Sequence, residues 1–519
     1  MATLVLVGAS SSRTLRIGMP LQPNSLNPII SSTYTENYIE EAVFSGLIIL
    51  DDRGNPQPDL ASTVPTKENH GISPDGKTLT YHLRRNVKWQ DGAPFTSADV
   101  VFTFEKMRDP HVPFALGTWY GRVKNIEAPD PYTVVLHLKQ PQADATSEFF
   151  VNGEAGMIIP EHLLRNVTDF RSAPFSAVPI GTGPYIVDRW ERGYSLDLRA
   201  NPTYFRGAPH IERLHIVFFG DQNTLALQKR TGELDFVQNL PISQLPAFAS
   251  APGMTVRVVP SYMLDYVIAN LRVAPFDDAH VRRALSVAID RGVLASKAYH
   301  GAAVLADGFV APWTKFHSPA RARAPGPDLE GARKLLDEAG WHPGPDGIRR
   351  KNGVPLDFTL TTIAGQTVLV NESVELQAAW RAIGANVTLR SVQSTVLFGP
   401  DGILAHGEFA LALVFYGELP WPDITDNVAS TAQPPRGSNF ARFADGDVDR
   451  WLRESGATYD LVSRRAIMAK IDSRLRDQAP EMPVLWERFL YAWSDELLGV
   501  RPETANSDFW NVYDWQWKK

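Results

Sequence analysis

Apolar residues along the 519-residue chain follow two periodic patterns, which predict a mixture of strands and helices. Thr78 to Leu83 alternates apolar and polar side chains, as a half-buried strand does. The apolar positions between residues 281 and 289 instead follow the spacing of one helix face, and Asp277 or Asp278 is available as the N-cap. Local patterning therefore predicts both element types within one chain.

In the second half of the chain these patterns alternate. Leu356 to Ile363 predicts a strand, about Glu372 to Ile383 a helix, and Asn386 to Val392 a second strand. A strand, a crossover helix and a strand form a βαβ unit with a parallel strand pair. Phe409 to Phe415 predicts one more buried strand. This part of the chain is therefore predicted to be α/β.

Polar residues mark where several helices begin and end. Thr96 and Asp99 have the spacing of a capping box, which predicts a helix starting near Ala98. Asp328 similarly precedes a helix over residues 329–339, which Gly340 is expected to end. The helix boundaries thus rest on side-chain chemistry as well as on periodicity.

Two glycine-containing stretches look like nucleotide-binding loops. Gly71 to Thr78 has the spacing of a phosphate loop, but such a loop must follow a buried strand and open a helix. Here the preceding residues are polar and the following ones alternate as a strand, so we predict a turn. Ile180-Gly-Thr-Gly-Pro-Tyr185 lacks a third glycine and a following helix, so we predict no dinucleotide site there either.

Composition narrows the functional classes. The hydrophobic content of 44 % is that of a globular protein, and the net charge of −7 gives no basic surface for nucleic acid. The absence of cysteine excludes thiol nucleophiles, thiolate metal sites and disulfides. No His-Glu-x-x-His or Gly-x-Ser-x-Gly motif occurs, and His210 and His215 are off helical phase. We predict no catalytic residue, no metal site and no cofactor.

The first twelve residues form a short apolar run that ends in small residues. They are similar to the apolar part of a secretory signal, although no basic residue precedes them. We interpret residues 1–12 as a trimmed signal remnant or an artificial end; an ordinary first strand is the alternative. No other apolar run approaches the ~20 residues that span a bilayer.

The stretch from Ser73 to Glu105 contains DGKTLTYHLRRNVKWQDGAPFTSADVVFTFE. It resembles the signature region of the family 5 solute-binding proteins, which deliver oligopeptides, dipeptides, nickel complexes, opines or oligosaccharides to ABC importers. Pro58 to Ala61 and Gly181 to Tyr185 also resemble elements of this family, as do the helical stretches 277–291 and 328–341. The resemblance extends from about Leu15 to the C-terminus.

The resemblance implies an α/β, two-lobed periplasmic-binding-protein fold with an additional subdomain inserted in the first lobe. Lobe I would comprise residues 13–45, 175–265 and 486–519, the inserted subdomain residues 46–174, and lobe II residues 266–485, with a hinge near 266 and 485. It further implies a periplasmic, monomeric, non-enzymatic protein. This protein would capture a small-molecule solute with high affinity and deliver it to a membrane permease by hinge closure.

The resemblance also suggests which residues line the ligand cleft. They are Tyr34, Trp119, Tyr120, Tyr416, Trp421, Asp423 and Trp510. Peptide-binding members usually carry an aromatic residue followed three positions later by an Asp that pairs with the peptide α-ammonium, and aligning Tyr416 with that aromatic places Leu419 at the Asp position. A buried ammonium without a counter-charge costs several kcal/mol, unless Glu418 or Asp423 substitutes. We therefore expect an oligosaccharide, an opine-like compound or a modified peptide rather than an ordinary peptide.

Two other functions remain open from the sequence. A glycosidase-like hydrolase on a related architecture would use two carboxylates beside a sugar bond, and aromatic rings would stack on the sugar. A chaperone or surface adhesin that holds peptides broadly would instead bind many unfolded clients. Turnover of a chromogenic substrate and broad client binding distinguish these alternatives from capture of one solute.

Overall fold

The computed structural model of the chain describes residues 13–30, 34–112, 117–153, 156–240, 242–249, 251–317, 326–399, 401–417, 421, 423–502 and 508–519. The chain forms two compact units. Unit 1 comprises Met1–Val259 and Phe489–Lys519, and unit 2 comprises Pro260–Arg488. The boundaries lie at 259/260 and 488/489, whereas the predicted crossings stand near residues 266 and 485. Both boundaries fall inside continuous strands.

Unit 1 begins with alternating strands and helices. Its strands are β1 (Leu15–Met19), β2 (Ile48–Leu50), β3 (Pro56–Pro58), β4 (Thr78–His82), β5 (Val123–Asp130), β6 (Thr133–Leu138), β7 (Tyr185–Glu191), β8 (Ser195–Ala200), β9 (Arg213–Phe218), β10 (Phe236–Leu240) and the start of β11 (Met254–Ala269). Its helices are α1 (Tyr34–Val43), α2 (Ser97–Arg108), α3 (Gly117–Tyr120), α4 (Ala145–Glu148), α5 (Glu161–Leu164), α6 (Gln222–Arg230) and α7 (Leu245–Ala249).

The central sheet of unit 1 has a mixed topology. Strand β1 pairs in parallel with β9 on one side and β10 on the other. Strands β8 and β7 extend the sheet beyond β9 in antiparallel order. Four of the five residues of β1 are buried and Arg16 is half-buried, as expected for a central strand of a covered sheet. A separate antiparallel sheet of β4, β6 and β5 packs with α2.

Unit 2 contains the remaining long helices and most of the later strands. Its helices are α8 (Ala279–Val287), α9 (Arg291–Tyr299), α10 (Leu329–Glu338), α11 (Thr367–Arg381), α12 (Ser394–Phe398), α13 (Ile403–His406), α14 (Thr425–Val428), α15 (Gly446–Ala457) and α16 (Leu461–Gln478). Its strands are β12 (Val304–Leu305), β13 (His342–Pro343), β14 (Arg349–Lys351), β15 (Val354–Pro355), β16 (Asp357–Ile363), β17 (Asn386–Val392), β18 (Leu411–Gly417) and most of β19 (Glu481–Ser494); β20 (Leu497–Leu498) and β21 (Gln516–Trp517) return to unit 1.

The sheet of unit 2 contains the predicted βαβ unit. Strands β16 and β17 pair in parallel, with α11 between them in the chain, and β18 pairs in parallel with β16. Strand β11 is antiparallel to β18, and β19 lies on its other side. The predicted α/β class is confirmed.

The predicted helix caps are present in the structure. Thr96 and Asp99 form the capping box of α2, with the Thr96 N–H donating to Asp99 Oδ2 at 2.9 Å. Asp278 accepts from the His280 N–H at 2.8 Å and begins α8, and Asp328 accepts from the Gly331 N–H at 2.8 Å and begins α10. Gly71 to Thr78 ends in strand β4 rather than in a helix, as predicted for a turn.

Candidate functional site

The seven predicted cleft residues are divided between the two units. Tyr34, Trp119, Tyr120 and Trp510 belong to unit 1, whereas Tyr416, Trp421 and Asp423 belong to unit 2. Within each unit the structure gives them very different surroundings.

Tyr416 lies near the end of β18 and is 38 % exposed. Its strand position is in register with Leu264 of β11, so two neighbouring strands fix its backbone. Strand β18 begins at Leu411 and includes Tyr416, whereas the sequence predicted a strand that ends at Phe415. An aromatic ring that is partly exposed at the end of a buried strand can stack on a flat solute group.

Trp421 and Asp423 follow this strand and lead into α14. Trp421 is buried, with 6 % exposure, and Asp423 is half-buried. The Asp423 carboxylate accepts a hydrogen bond from the Thr425 N–H at 3.0 Å, which orders the turn before the helix. Leu419, at the position of the predicted ammonium-binding Asp, and Glu418, which could replace that Asp, lie outside the described residues.

Tyr120 lies in an aromatic cluster of unit 1 and is 1 % exposed. Its ring packs edge-on against Phe149 and Phe150, and its hydroxyl accepts from the Phe150 N–H at 3.0 Å. Burial raises the pKa of Tyr120 above its ordinary range. Trp119, the preceding residue, is half-buried. Of these two adjacent aromatics, the structure places Tyr120 in the core of its unit.

The remaining two predicted residues of unit 1 lie at the start of α1 and near the C-terminus. Tyr34 is the first residue of α1, and its side chain lies outside the described part of the structure. Trp510 is 8 % exposed and donates from Nε1 to the Arg501 carbonyl at 3.0 Å. The Arg501 guanidinium lies 4.4 Å from the centroid of the Trp510 ring, in a cation–π arrangement.

Gln90 joins the Ser73 to Glu105 stretch to the Gly181 to Tyr185 element. Its amide oxygen accepts from the Gly181 N–H at 3.0 Å, and its Nε2 donates to the Tyr185 carbonyl at 2.7 Å. A Cβ on Gly181 would lie 1.8 Å from the carbonyl oxygen of Val43, the last residue of α1. Two of the stretches that carry the family resemblance therefore fix the end of α1.

Unit 2 contains a group of buried acidic residues that the sequence analysis missed. Asp265 on β11 and Glu372 on α11 are fully buried, and Glu487 on β19 is half-buried. The Tyr299 hydroxyl donates to Asp265 Oδ2 at 2.5 Å. The signal in the sequence was one acidic residue, Asp265, within the apolar strand YMLDYVIANL.

A small cavity also lies within unit 2. It has a volume of about 60 Å³ and is lined in part by Arg291, Asp307, Phe309 and Glu481. Pockets for small-molecule ligands usually measure roughly 300 to 1,000 Å³. This cavity could hold only a few water molecules and is too small for the expected solute.

Within the described residues, no group of three or more His, Asp or Glu side chains has an arrangement that could hold a metal ion. No helix in the same residues is both long enough and apolar enough to cross a membrane.

Comparisons with known proteins agree with the architecture. Residues 55–433 match the family model described as bacterial extracellular solute-binding proteins, family 5 Middle. A putative ABC transporter peptide-binding protein of Brucella ovis is 30 % identical over 451 residues, which cover 84 % of this chain and 78 % of the relative. The glutathione-binding protein GsiB of Salmonella choleraesuis is 28 % identical over 495 residues, which cover 93 % and 91 % of the two chains.

Two solved structures share the fold along almost the whole chain. The oligopeptide-binding protein AppA of Bacillus subtilis, in complex with a nonapeptide, matches with a TM-score of 0.80 at 23 % identity, covering 98 % of this chain and 99 % of that one. AgaA of A. tumefaciens R10, in complex with agropinic acid, matches with a TM-score of 0.78 at 22 % identity and the same coverage. The two-lobed α/β fold is thus confirmed, and the chain belongs to the bacterial extracellular solute-binding proteins of family 5.

Proposed function

We propose that this protein captures one polar solute with high affinity outside the cytoplasm and delivers it to the permease of an ABC importer. The observation that carries the proposal is the family match over residues 55–433. Relatives that align along most of the chain are named as binding proteins of ABC transporters or for glutathione. The protein is therefore a binding protein and not an enzyme, and the glycosidase-like alternative is withdrawn.

The solute that we propose is an oligosaccharide, an opine-like compound or a modified peptide. Leu419 stands where the resemblance places the ammonium-binding Asp, and a buried ammonium needs a counter-charge. Asp423, which could substitute, has one carboxylate oxygen, Oδ1, engaged by the Thr425 N–H. Tyr416, at 38 % exposure, offers a ring face that suits a sugar or an opine.

The names of the compared proteins support both the proposed solute class and the alternative of an ordinary peptide. Agropinic acid and glutathione, in two of the names, correspond to an opine-like compound and a modified peptide. The nonapeptide complex and the peptide-binding relative represent the competing possibility, an ordinary peptide with a free N-terminus. An ordinary peptide presents a free α-ammonium at its N-terminus, and N-acetylation removes the charge of that group alone, so an experiment can isolate its contribution.

The test combines native mass spectrometry with thermal unfolding. Native mass spectrometry of the purified protein, followed by denaturation, would weigh any small molecule that it carries. Unfolding would then be followed with an unmodified tetrapeptide, its N-acetylated form, agropinic acid, glutathione and a cello-oligosaccharide. A ligand that binds only the folded protein raises the melting temperature. We expect no shift with the unmodified tetrapeptide and a shift with at least one of the others.

Two variants at position 419 sharpen this test. Leu419→Asp restores the carboxylate and should create a shift with the unmodified tetrapeptide but not with its N-acetylated form. Leu419→Asn has nearly the same size without the charge and should create no shift. Tight binding of the unmodified tetrapeptide by the wild-type protein, lost on N-acetylation, would overturn the proposed solute class.

Hinge closure, a monomeric state, a periplasmic location and signal trimming complete the proposal. Small-angle X-ray scattering should give a smaller radius of gyration once the solute is added, because closure makes a two-lobed protein more compact. Light scattering coupled to gel filtration should give a mass near the 57.6 kDa of one chain. A broad peptide-holding chaperone would instead bind many unfolded clients and show no preferred solute.

A further inference from the structure

Three acidic residues of unit 2, on three different elements, interact with one another around Asp265, and a tyrosine on a fourth element bonds to Asp265. Asp265 belongs to β11, Glu372 to α11, Glu487 to β19 and Tyr299 to the end of α9. Asp265 and Glu372 are 0 % exposed and Tyr299 is 3 % exposed. Glu487 keeps some contact with solvent. We call these four residues the carboxyl cluster.

The hydrogen-bond donors of the carboxyl cluster are too few for its acceptors. An ionised carboxylate only accepts hydrogen bonds, and a tyrosine hydroxyl has one hydrogen to donate. That hydrogen goes from Tyr299 to Asp265 Oδ2. Within the described residues, Asp265 Oδ1 and both Glu372 oxygens are buried and have no hydrogen-bond partner. Buried polar atoms without partners are rare because each costs free energy.

Among the described residues, no lysine or arginine contributes to the pKa shifts of Asp265, Glu372 or Glu487. Lys297 on α9 pairs with Glu375 on α11 at 2.7 Å and is 60 % exposed at its side chain. Arg488 follows Glu487 on the same strand, and successive strand side chains point to opposite faces. The other titratable groups on the elements of the cluster and on their neighbouring strands are Arg257, Tyr262, Tyr266, Arg291, Asp357, Arg381, Arg390, Tyr416, Glu481 and Tyr491. None of these groups is among the causes that shift the pKa of Glu372 or Glu487.

We propose that Asp265, Glu372 and Glu487 share at least one bound proton at neutral pH, and that this proton holds α9 and α11 against β11 and β19. A proton on one carboxyl supplies the donor that the cluster lacks, because a carboxylic acid donates to a neighbouring carboxylate. No oxidant, metal or cofactor is needed. Glu487, the half-buried member, gives the proton a route to solvent.

The electrostatics of the cluster agree with this assignment. Burial raises the pKa of Asp265 well above its ordinary value, and the charges of Glu372 and Glu487 raise it further. Burial likewise raises the pKa of Glu372 well above its ordinary value, and Glu487 adds to that shift. The protons of such a cluster belong to the group rather than to one residue.

The location of the cluster gives the proton a structural consequence. Asp265 lies on β11 and Glu487 on β19, and both strands continue from unit 2 into unit 1. Ser261 Oγ donates to the Glu487 carbonyl at 3.0 Å and so links these strands beside the cluster. Loss of the proton would place like charges behind both connecting strands and loosen them.

The first experiment compares pH profiles of unfolding for the full chain and for Glu372→Gln. Glutamine cannot ionise and keeps a hydrogen-bond donor. A group that holds a proton only when folded makes the folding equilibrium constant fall about tenfold per pH unit above the unfolded pKa, which is near 4.3 for Glu. We therefore expect the ratio of the folding equilibrium constants, wild-type over Glu372→Gln, to fall about 100-fold between pH 5 and pH 7.

Glu375→Gln is the matched control, because Glu375 lies on the same helix and belongs to the surface pair with Lys297. It should change the pH profile little. Parallel profiles for the wild-type protein and Glu372→Gln would overturn the proposal. A melting temperature that rises with calcium, magnesium or potassium chloride in the wild-type protein but not in Glu372→Gln would also overturn it, because the cluster would then hold a cation.

A second measurement needs no variant. Infrared spectroscopy of the folded protein at pH 7.5 should show the carbonyl stretch of a protonated carboxylic acid, which ordinary surface carboxylates do not give at this pH. The band should disappear when the protein is unfolded at the same pH. Its absence from the folded protein would overturn the proposal even if Glu372→Gln failed to fold.

Discussion

Arg206 donates from Nη2 to Asp59 Oδ1 at 2.7 Å, and this ion pair joins distant parts of unit 1. The same guanidinium donates to the Pro58 carbonyl at 2.8 Å and to the Tyr513 hydroxyl at 3.2 Å. The carboxylate is almost fully buried and the guanidinium largely so, at 2 % and 22 % side-chain exposure. The Pro-Asp-Leu-Ala stretch is thus tied to the C-terminal region.

Removing one partner of this pair should destabilise the protein. Asp59→Asn leaves a buried arginine without its counter-charge, which costs about 3 kcal/mol in free energy of unfolding. The matched control is Arg199→Met. Arg199 Nε lies 2.8 Å from Asp188 Oδ1, a distance close to that of the buried pair, but both side chains are more exposed to solvent. The control should cost less than about 1 kcal/mol. Urea unfolding measures the free energy of unfolding of both variants. Equal losses would contradict the conclusion that burial makes the Arg206–Asp59 pair the more important one.

Lys229 should make stability depend on pH in the alkaline range. It is buried in α6 and donates to the Leu234 carbonyl at 3.3 Å, and burial lowers its pKa to about 8. The unfolded chain keeps an ordinary lysine pKa near 10.4, so between these values the unfolded state binds more protons. Stability contributed by this group therefore rises as pH increases from about 8 to about 10.4.

The variant that tests this effect is Lys229→Met. It removes the burial cost of the charge, so its advantage over the wild-type protein should reach up to about 3 kcal/mol below pH 8 and shrink above it. Arg230→Met removes the adjacent exposed cation and serves as the control. Urea titrations at pH 7 and pH 9.5 measure the difference. An advantage that stays constant with pH would show that Lys229 does not titrate in this range.

Much of the local structure could be predicted because its causes are local. Asp278 and Asp328 begin helices through hydrogen bonds that reach only two or three residues along the chain. The βαβ unit of β16, α11 and β17 follows from periodicity in one continuous stretch. Such interactions leave a pattern in the sequence that needs no knowledge of distant partners.

The candidate site could be predicted only in part, because burial depends on distant neighbours. Trp119 and Tyr120 are adjacent aromatics, yet only Tyr120 enters the cluster with Phe149 and Phe150. The carboxyl cluster joins Asp265 to Glu372 and Glu487, which no short sequence pattern connects. Tertiary contacts of this kind give no local periodic signal.

Gly181 should tolerate no side chain. Because a Cβ there would lie 1.8 Å from the Val43 carbonyl oxygen, Gly181→Ala must displace the end of α1 or break the bonds to Gln90. We expect a loss of about 3 kcal/mol in the free energy of unfolding. Gly220→Ala is the control, since nothing lies within 4 Å of the added Cβ. The control should change stability by less than about 0.5 kcal/mol. If Gly181→Ala left the free energy of unfolding unchanged, the backbone around Gly181 would have to shift to make room for the added methyl group.

The contrast between Tyr416 and Tyr120 gives the sharpest test of the predicted cleft residues. Tyr416 is 38 % exposed, whereas Tyr120 is 1 % exposed and its hydroxyl accepts from the Phe150 N–H. Tyr416→Ala should weaken binding of the solute identified by native mass spectrometry about fivefold, because a stacked ring contributes roughly 1 kcal/mol. It should lower the stability of the solute-free protein by less than about 1 kcal/mol.

Tyr120→Phe should have the opposite effects. It removes one buried hydrogen bond and should cost about 1 kcal/mol in the free energy of unfolding, while the affinity for the solute stays unchanged. Isothermal titration calorimetry and urea unfolding of the same two variants separate affinity from stability. If Tyr120→Phe weakened binding as much as Tyr416→Ala, the Tyr120 hydroxyl would contact the solute in the bound protein. The aromatic cluster with Phe149 and Phe150 would then have to open when the solute binds.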